Sequence, residues 1–161
     1  ERGKEFLQRA GTIIFGAMIL MWLLANLPAG VEYGAQDSLI GRLGSAIAPF
    51  LKPLGFGKWQ AAVALLFGIF AKEIVVGTLG VLYGVGEAGL AASIAAEWTP
   101  LSAYSFMVMV LIYFPCVATI AAIRRETNSW GWTTFAAVYP ILLGWGVSFI
   151  VFNVGRLLGF A

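Results

Sequence analysis

Hydrophobic residues run along this chain in four long stretches that are almost free of charge. Each is close to the roughly 20 residues that an α-helix needs to cross a hydrocarbon core about 30 Å thick. The stretches are continuously apolar and do not alternate with polar positions, so they predict helices. We therefore predict about four transmembrane helices, near residues 9–28, 59–84, 101–123 and 132–157.

A shorter apolar segment, residues 38–52, lies between the first two predicted spans. Leu39, Leu43, Ile47 and Phe50 recur there at the spacing of one helical face. The segment is too short to span a bilayer and ends in two prolines. We predict an amphipathic helix that lies in the membrane interface. The alternative is a partly buried loop.

The composition agrees with a membrane location. Hydrophobic residues make up 60% of the 161 residues and charged residues 11%, against roughly 45–50% and 25% in ordinary globular chains. The mean hydropathy is +0.89. These values exclude a soluble globular domain and a disordered segment, and a net charge of +2 excludes a nucleic-acid partner. The expected fold is an all-α, polytopic membrane protein with interfacial amphipathic helices.

Nothing in the sequence indicates covalent catalysis. A single cysteine and no histidine exclude an internal disulfide framework and a zinc cluster. There is no phosphate-binding loop of the Walker type, no Ser/His/Asp set and no zinc-protease helix. We expect no enzyme activity and no permanently bound cofactor. The start, Glu1-Arg2-Gly3-Lys4-Glu5, lacks a signal-peptide pattern and is typical of a piece of a longer protein.

Two residues of opposite charge lie side by side in the middle of the second predicted span. An ionisable side chain at bilayer depth costs about 2.5–3.5 kcal/mol on insertion scales, so Lys72 and Glu73 need partners. Neighbouring helical residues point about 100° apart, so at least one must meet another helix, a backbone carbonyl or water. We interpret Glu73 as lining a substrate path and Lys72 as neutralising a carboxylate or carbonyl. The alternative is a buried pair that only fixes helix packing.

Small residues near this pair predict close helix packing. Gly68, Gly77 and Gly80 follow each other along the span, and Gly80 opens a Gly-x-x-x-Gly contact motif. We assign Gly77 and Gly80 a structural or gating role. Pro140 is assigned the same kind of role because it is predicted to kink the fourth span and to free the Ala136 carbonyl.

Pro115 interrupts the middle of the third predicted span. Proline has no N–H, so the Leu111 carbonyl loses its helical donor, and the ring crowds that carbonyl. Non-helical backbone at membrane depth is tolerated only where protein or a water-filled cavity covers it. We therefore predict a helix that is broken mid-membrane, with carbonyl oxygens exposed beside Cys116, the only thiol in the sequence.

Four side chains around this break follow the spacing of one helical stripe. Met109, Tyr113, Cys116 and Thr119 offer a thioether, a phenol, a thiol and a hydroxyl. A thiolate suits iron, zinc and copper(I), whereas magnesium and calcium prefer oxygen ligands. With the Leu111 carbonyl, this stripe is a candidate metal path. The competing interpretation, which spacing alone favours, is that a lone buried cysteine is only a small hydrophobic residue.

Several motifs of the chain resemble one known family. They are Gly3-Lys4-Glu5-Phe6-Leu7, Ala10-Gly11-Thr12-Ile13-Ile14, the run from Gly55 to Ala64, Phe70-Ala71-Lys72-Glu73-Ile74-Val75-Val76 and Tyr113-Phe114-Pro115-Cys116-Val117-Ala118-Thr119. Over nearly its whole length the chain resembles the C-terminal membrane region of the ferrous iron transport protein B (FeoB) family. That region contains the second of two Gate repeats, which also resemble nucleoside-recognition membrane domains.

The resemblance implies part of a bacterial inner-membrane, multi-pass importer of Fe²⁺. Fe²⁺ is then the transported substrate, and GTP acts only through an N-terminal GTP-binding domain. That domain, the first Gate repeat and the lipid bilayer are the implied partners, and a homo-oligomer is compatible with them. The Gate cysteine of the family corresponds to Cys116 and its helix break to Pro115. The resemblance thus favours a transport role, in which Cys116 either binds Fe²⁺ as a thiolate or narrows the pore.

Two other function classes stay open. A nucleoside or other small-solute carrier would have the same architecture. A membrane module without transport activity is the third class, in which Lys72, Glu73 and the glycines only join helices or subunits.

Overall fold

The computed structural model describes residues 11–12, 15–16, 19–20, 22–24, 26–27, 36–70, 72 and 74–160. These residues form helices and no strands, which confirms the all-α fold class. The first predicted span lies partly outside the described residues, and its described residues from 11 to 26 are helical. The helices that follow are α1 (Leu39–Leu51), a 3-10 helix (Lys52–Leu54), α2 (Trp59–Gly68), α3 (Ile74–Leu82), α4 (Glu87–Glu97), α5 (Pro100–Ile112), α6 (Val117–Thr127) and α7 (Trp130–Leu157).

Two of the predicted spans consist of two helices each. The second is made of α2 and α3, with a break between Gly68 and Ile74 (residues 69–73, of which the structure describes 69, 70 and 72). The third is made of α5 and α6, with a break at residues 113–116. The prediction that one or more helices are broken is therefore confirmed. The fourth predicted span is the single helix α7, which continues through Pro140.

Helix α7 has the length and composition of a membrane span. Within the described ranges it is the one unbroken helix that is long and apolar enough to cross a bilayer. A second crossing results if Gly89–Glu97 and Pro100–Ile112, which meet at a bend of 115°, act as one span. Large apolar side chains of α7 such as Leu142 and Ile150 are exposed, as is expected of a surface that lipid covers. The number of spans stays a prediction.

Helix α1 forms where the amphipathic helix was predicted. Its N-terminus is capped by Ser38, whose hydroxyl oxygen accepts a hydrogen bond from the Gly41 N–H at 3.2 Å. Three of the four apolar residues from which this helix was predicted, Leu39, Leu43 and Phe50, are exposed. The buried face, which includes Ile40, Gly44 and Ala48, packs on α2. Both faces are thus apolar, and the interfacial location stays a prediction.

Helices α5 and α7 are joined by a reciprocal pair of hydrogen bonds. The Ser105 hydroxyl donates to the Ser148 carbonyl at 3.1 Å, and the Ser148 hydroxyl donates to the Ser105 carbonyl at 3.2 Å. Both serines are fully buried. Small polar residues at such contacts let membrane helices approach closely while their hydroxyls find partners.

A polar network closes one end of the aromatic core, in which Trp98 and Phe106 lie edge to face at 5.2 Å. Lys58 donates to Glu97 Oε2 at 2.6 Å, and Tyr83 donates to the same oxygen at 3.1 Å. Trp98 Nε1 donates to the Tyr83 hydroxyl at 2.9 Å. Three segments of the chain meet in this network, at the N-terminus of α2 and the C-termini of α3 and α4.

We expect the Lys58–Glu97 ion pair to stabilise the protein at neutral pH but not in acid. The hydrogen bond from Lys58 is the main cause that lowers the pKa of Glu97 below its usual value of 4.5. A lowered carboxyl pKa contributes stability above the usual value, and this is lost as the pH falls through the lowered pKa. Because the two side chains are 37% and 45% exposed, we expect only about 0.2–1 kcal/mol.

The measurement compares thermal unfolding of the wild type and Lys58→Met at pH 7 and pH 3. The difference in stability should be larger at pH 7 than at pH 3. Lys52→Met is the matched control, because Lys52 forms no ion pair with any residue the structure describes. An equal effect of Lys58→Met at both pH values would contradict the prediction.

Candidate functional site

The two helix breaks lie against each other and exchange hydrogen bonds. The Val117 N–H, at the start of α6, donates to the Ile69 carbonyl at 3.2 Å. In the opposite direction, the Lys72 ammonium donates to the Leu111 carbonyl at 2.9 Å. Lys72 thus satisfies a backbone carbonyl that Pro115 leaves without a helical donor. We define these two breaks, residues 69–73 and 113–116, as the paired break.

The break at residues 113–116 follows from its proline. In a continuous helix the Leu111 carbonyl would accept from the residue at position 115, and Pro115 has no N–H to offer. The Lys72 ammonium donates to the Leu111 carbonyl in place of the missing N–H. Its nitrogen lies 5.9 Å from the centroid of the Tyr113 ring. The contact is of the kind that the sequence predicted for Lys72, which was expected to meet a carboxylate or a carbonyl.

The break at residues 69–73 contains no proline. Hydrogen bonds from the other helix pair stabilise it. The Val117 N–H donates to the Ile69 carbonyl, and the Tyr113 hydroxyl donates to the Leu65 carbonyl at 2.9 Å. Leu65 lies in the last turn of α2, where carbonyls lack intrahelical donors. These tertiary hydrogen bonds replace those of a continuous helix.

Two glycines allow the paired break to close tightly. A β-carbon at Gly68 would overlap both the Tyr113 hydroxyl and Cγ2 of Val75. On the other side, a β-carbon at Gly144 of α7 would lie 3.2 Å from the Tyr113 nitrogen and 3.3 Å from the Met109 sulfur. Tyr113 is therefore clamped between α2 and α7. A β-carbon at Gly77 would meet no described atom within 4 Å, so the close packing expected there is absent among the described residues.

The predicted stripe of four side chains does not form one face of one helix. Met109 and Tyr113 are 4% and 5% exposed and belong to the core, whereas Cys116 is half-buried and Thr119 is exposed. This part of the prediction was wrong, because the backbone leaves the helix after Ile112 and re-enters it at Val117.

Cys116 occupies the N-cap position of α6. Its sulfur lies 3.2 Å from the Thr119 hydroxyl oxygen, so these two predicted site residues do contact each other. The first turn of a helix carries a partial positive charge and free N–H groups. The sulfur thus stands where the backbone favours a negative ligand, next to the break in the chain.

The other predicted site residues take different positions. Glu73 lies outside the described residues, so its position relative to Lys72 stays a prediction. Gly80 approaches the Val85 carbonyl, with a β-carbon there 3.2 Å from the oxygen. Within the described ranges no three His, Cys, Asp or Glu side chains come together as a metal site.

A cavity of about 450 Å³ adjoins the paired break. Lys72 and Leu111 line it at the break, and apolar side chains of α3, α4 and α5 complete it, among them Leu79, Trp98 and Phe106. Cys116 is not part of its lining. The lysine therefore faces a largely apolar space, whose lining does not include the thiol.

Sequence reasoning missed the contribution of Tyr113 and Val117. Tyr113 was assigned as a metal-path phenol, yet its hydroxyl closes the end of α2. Neither residue carries a local signal for these contacts, because the carbonyls of Leu65 and Ile69 are distant in sequence.

Comparisons with known proteins give one family model and several similar proteins. Residues 7–130 match a family model named Gate and described as nucleoside recognition. The chain is similar to the "Fe(2+) transporter FeoB" of Staphylococcus aureus strain MSSA476, with 44% identity over 158 residues. It is similar to the protein of the same name from Methanocaldococcus jannaschii, with 41% identity over 167 residues.

A more distant relative is the "Fe(2+) transport protein A/Fe(2+) transporter FeoB fusion protein" of Porphyromonas gingivalis strain W83, with 32% identity over 206 residues. The alignments cover 97–98% of this chain but only 24–25% of these relatives. The chain thus spans about a quarter of the length of the curated relatives it matches. No solved structure matches it.

Proposed function

The chain belongs to the Gate family, and on that premise we propose that it forms the membrane-embedded part of a ferrous iron transporter. The relatives that align along nearly its whole length carry the name Fe(2+) transporter. The observation that carries the proposal in the structure is the paired break, with its only thiol at the N-cap of α6. Broken helices place backbone carbonyls and helix ends beside a transported ion.

The chemistry of the break suits a borderline dication better than a hard one. Cys116 offers a sulfur ligand, and the Thr119 hydroxyl at 3.2 Å from it offers an oxygen. Thiolates select iron and related ions over magnesium and calcium. We propose that Cys116 and Thr119 lie on the Fe²⁺ path together with the Leu111 carbonyl and Glu73.

We expect Cys116→Ala to lower the initial rate of Fe²⁺ uptake by the full-length protein in liposomes by about tenfold, or ~1.4 kcal/mol. The reason is that the variant removes the only sulfur ligand of the break while leaving the backbone unchanged. Cys116→Ser is the size-matched variant and should recover part of the rate if an oxygen can replace the sulfur. Uptake would be measured under anaerobic conditions at equal amounts of folded protein.

Leu142→Ala, on the exposed face of α7, is the control and should transport at the wild-type rate. Wild-type rates in both Cys116 variants would remove the ligand role of this residue. No Fe²⁺ uptake by the wild type would remove the proposed function itself.

The second candidate is a nucleoside or small-solute carrier. The description of the family model favours it, and the 450 Å³ cavity with Trp98 and Phe106 in its lining has the size of a small-molecule pocket. Competition separates the two candidates. Uptake that nucleosides displace and that shows no metal dependence would favour the carrier over the iron transporter.

The wider assignment is part of the same proposal. We place the chain in a multi-pass protein of the bacterial inner membrane, with an N-terminal GTP-binding domain and a first Gate repeat as partners in the same polypeptide. Fe²⁺ is the substrate and not a resident cofactor. GTP acts only through the separate domain, and the segment itself is proposed to be non-catalytic.

A further inference from the structure

The Lys72 ammonium donates a hydrogen bond to the Leu111 carbonyl oxygen, which lies on the proposed ion path. Its nitrogen is 2.9 Å from that oxygen, which Pro115 has deprived of a helical donor. The side chain also lines the 450 Å³ cavity. A positive group therefore already sits on the oxygen that loses its helical donor to Pro115.

Lys72 and a metal ion exclude each other at this oxygen. The two lone pairs of a carbonyl could in principle accept two partners. However, a divalent cation and an ammonium bound to one oxygen would stand only a few ångströms apart, where like charges repel strongly in a poorly solvated site. Occupation by one thus requires departure of the other.

The cavity beside Lys72 offers space for its ammonium when it leaves the Leu111 carbonyl. Lys72 is half-buried and lines the cavity, with the Tyr113 ring centroid 5.9 Å from its nitrogen. A flexible four-carbon stem lets the ammonium swing without movement of the backbone. The Val117–Ile69 hydrogen bond at 3.2 Å can hold the two breaks together meanwhile.

We propose that Lys72 is a tethered cation that blocks the Leu111 carbonyl and that the transported divalent cation must displace it. Lys72 then sets how readily a cation enters, as a specificity-determining residue that competes with the substrate. The inference rests on the proposed function, because it needs a cation that passes this break.

The test measures initial rates of Fe²⁺ uptake against Fe²⁺ concentration for the full-length protein in liposomes. Lys72→Met removes the competing charge and leaves the Leu111 carbonyl open, so KM should fall by about tenfold with a smaller change in kcat. Lys72→Arg keeps a positive donor and should stay within about twofold of the wild-type KM. Lys72→Gln keeps a donor without charge and should fall between the two.

A second measurement needs no variant and tests displacement directly. The wild-type protein is acetylated in the absence and presence of Fe²⁺, and the modification of Lys72 is compared with that of Lys52 by mass spectrometry. Fe²⁺ should increase acetylation of Lys72 at least about threefold and leave Lys52 unchanged. This measurement decides the matter if Lys72→Met fails to fold.

The outcomes separate the two proposals. Wild-type uptake of Fe²⁺ with an unchanged or raised KM in Lys72→Met overturns the blocking role alone, as does Lys72 acetylation that Fe²⁺ does not alter. Absence of Fe²⁺ uptake by the wild type overturns the proposed function and the blocking role with it.

Discussion

Replacing Gly68 with valine is expected to lower the stability of the protein by about 3 kcal/mol. The new side chain would overlap the Tyr113 hydroxyl and Val75 in a buried contact, and overpacking of this kind costs about 1–3 kcal/mol. Displacement of Tyr113 would also take the hydrogen-bond donor from the Leu65 carbonyl, which adds about 1–3 kcal/mol when the oxygen stays buried.

The measurement is the temperature at which half of the detergent-solubilised protein loses its native state. A loss of about 3 kcal/mol corresponds to a decrease of roughly 6–12 °C for a domain of this size. Gly146→Val is the matched control, since a β-carbon at this α7 glycine meets no described atom within 4 Å. Equal effects of the two substitutions would show that Gly68 does not mark a special contact.

Tyr113→Phe separates the two parts of this effect. It removes the hydroxyl that donates to Leu65 but leaves the ring in its place against Gly144. Its cost should therefore match the hydrogen-bond part alone. If Gly68→Val lowers the stability no more than Tyr113→Phe does, the steric overlap contributes nothing to the effect.

The site was predictable from the sequence only where a residue acts on its own backbone. Pro115 removes an N–H wherever the chain folds, so the orphaned Leu111 carbonyl could be predicted. The charge of Lys72 predicted a carboxylate or a backbone carbonyl as its partner, and the structure shows a carbonyl. Which carbonyl it is could not be read, because the two residues are 39 positions apart.

The break at residues 69–73 shows what local pattern cannot supply. Nothing in Ile69-Phe70-Ala71-Lys72-Glu73 forbids a helix, and the segment was predicted as part of one continuous span. The structure ends α2 at Gly68 because the Ile69 and Leu65 carbonyls find donors on the other break. Tertiary hydrogen bonds thus override a helix that propensity and hydropathy both favour.

The same limit explains the failed stripe. Its members were placed by counting 3.6 residues per turn through Pro115, but a helix that stops at Ile112 and restarts at Val117 loses that phase. Cys116 and Thr119 are in contact because both lie at the start of α6, so the helical spacing between them is not interrupted by the break.

Replacing Pro115 with alanine is expected to favour a continuous helix from α5 into α6 and to lower Fe²⁺ uptake by about tenfold or more. Proline disfavours a helix interior by about 3 kcal/mol relative to alanine, which shifts the ratio of broken to continuous forms by about 100-fold. The alanine N–H would then take the Leu111 carbonyl, and Lys72 would lose its partner. Loss of the Val117–Ile69 hydrogen bond opposes this shift, so a tenfold decrease is the smaller expectation.

The second prediction is checked by uptake together with amide hydrogen exchange at Val117. A continuous helix removes the Ile69 partner of this N–H and replaces it with a helical one, so its protection should change in parallel with uptake. Pro140→Ala is the matched control, because α7 already continues through Pro140 and has no break to close. If Pro115→Ala and Pro140→Ala transport alike at the wild-type rate, the paired break is a packing feature. Transport must then be sought on another surface of the chain.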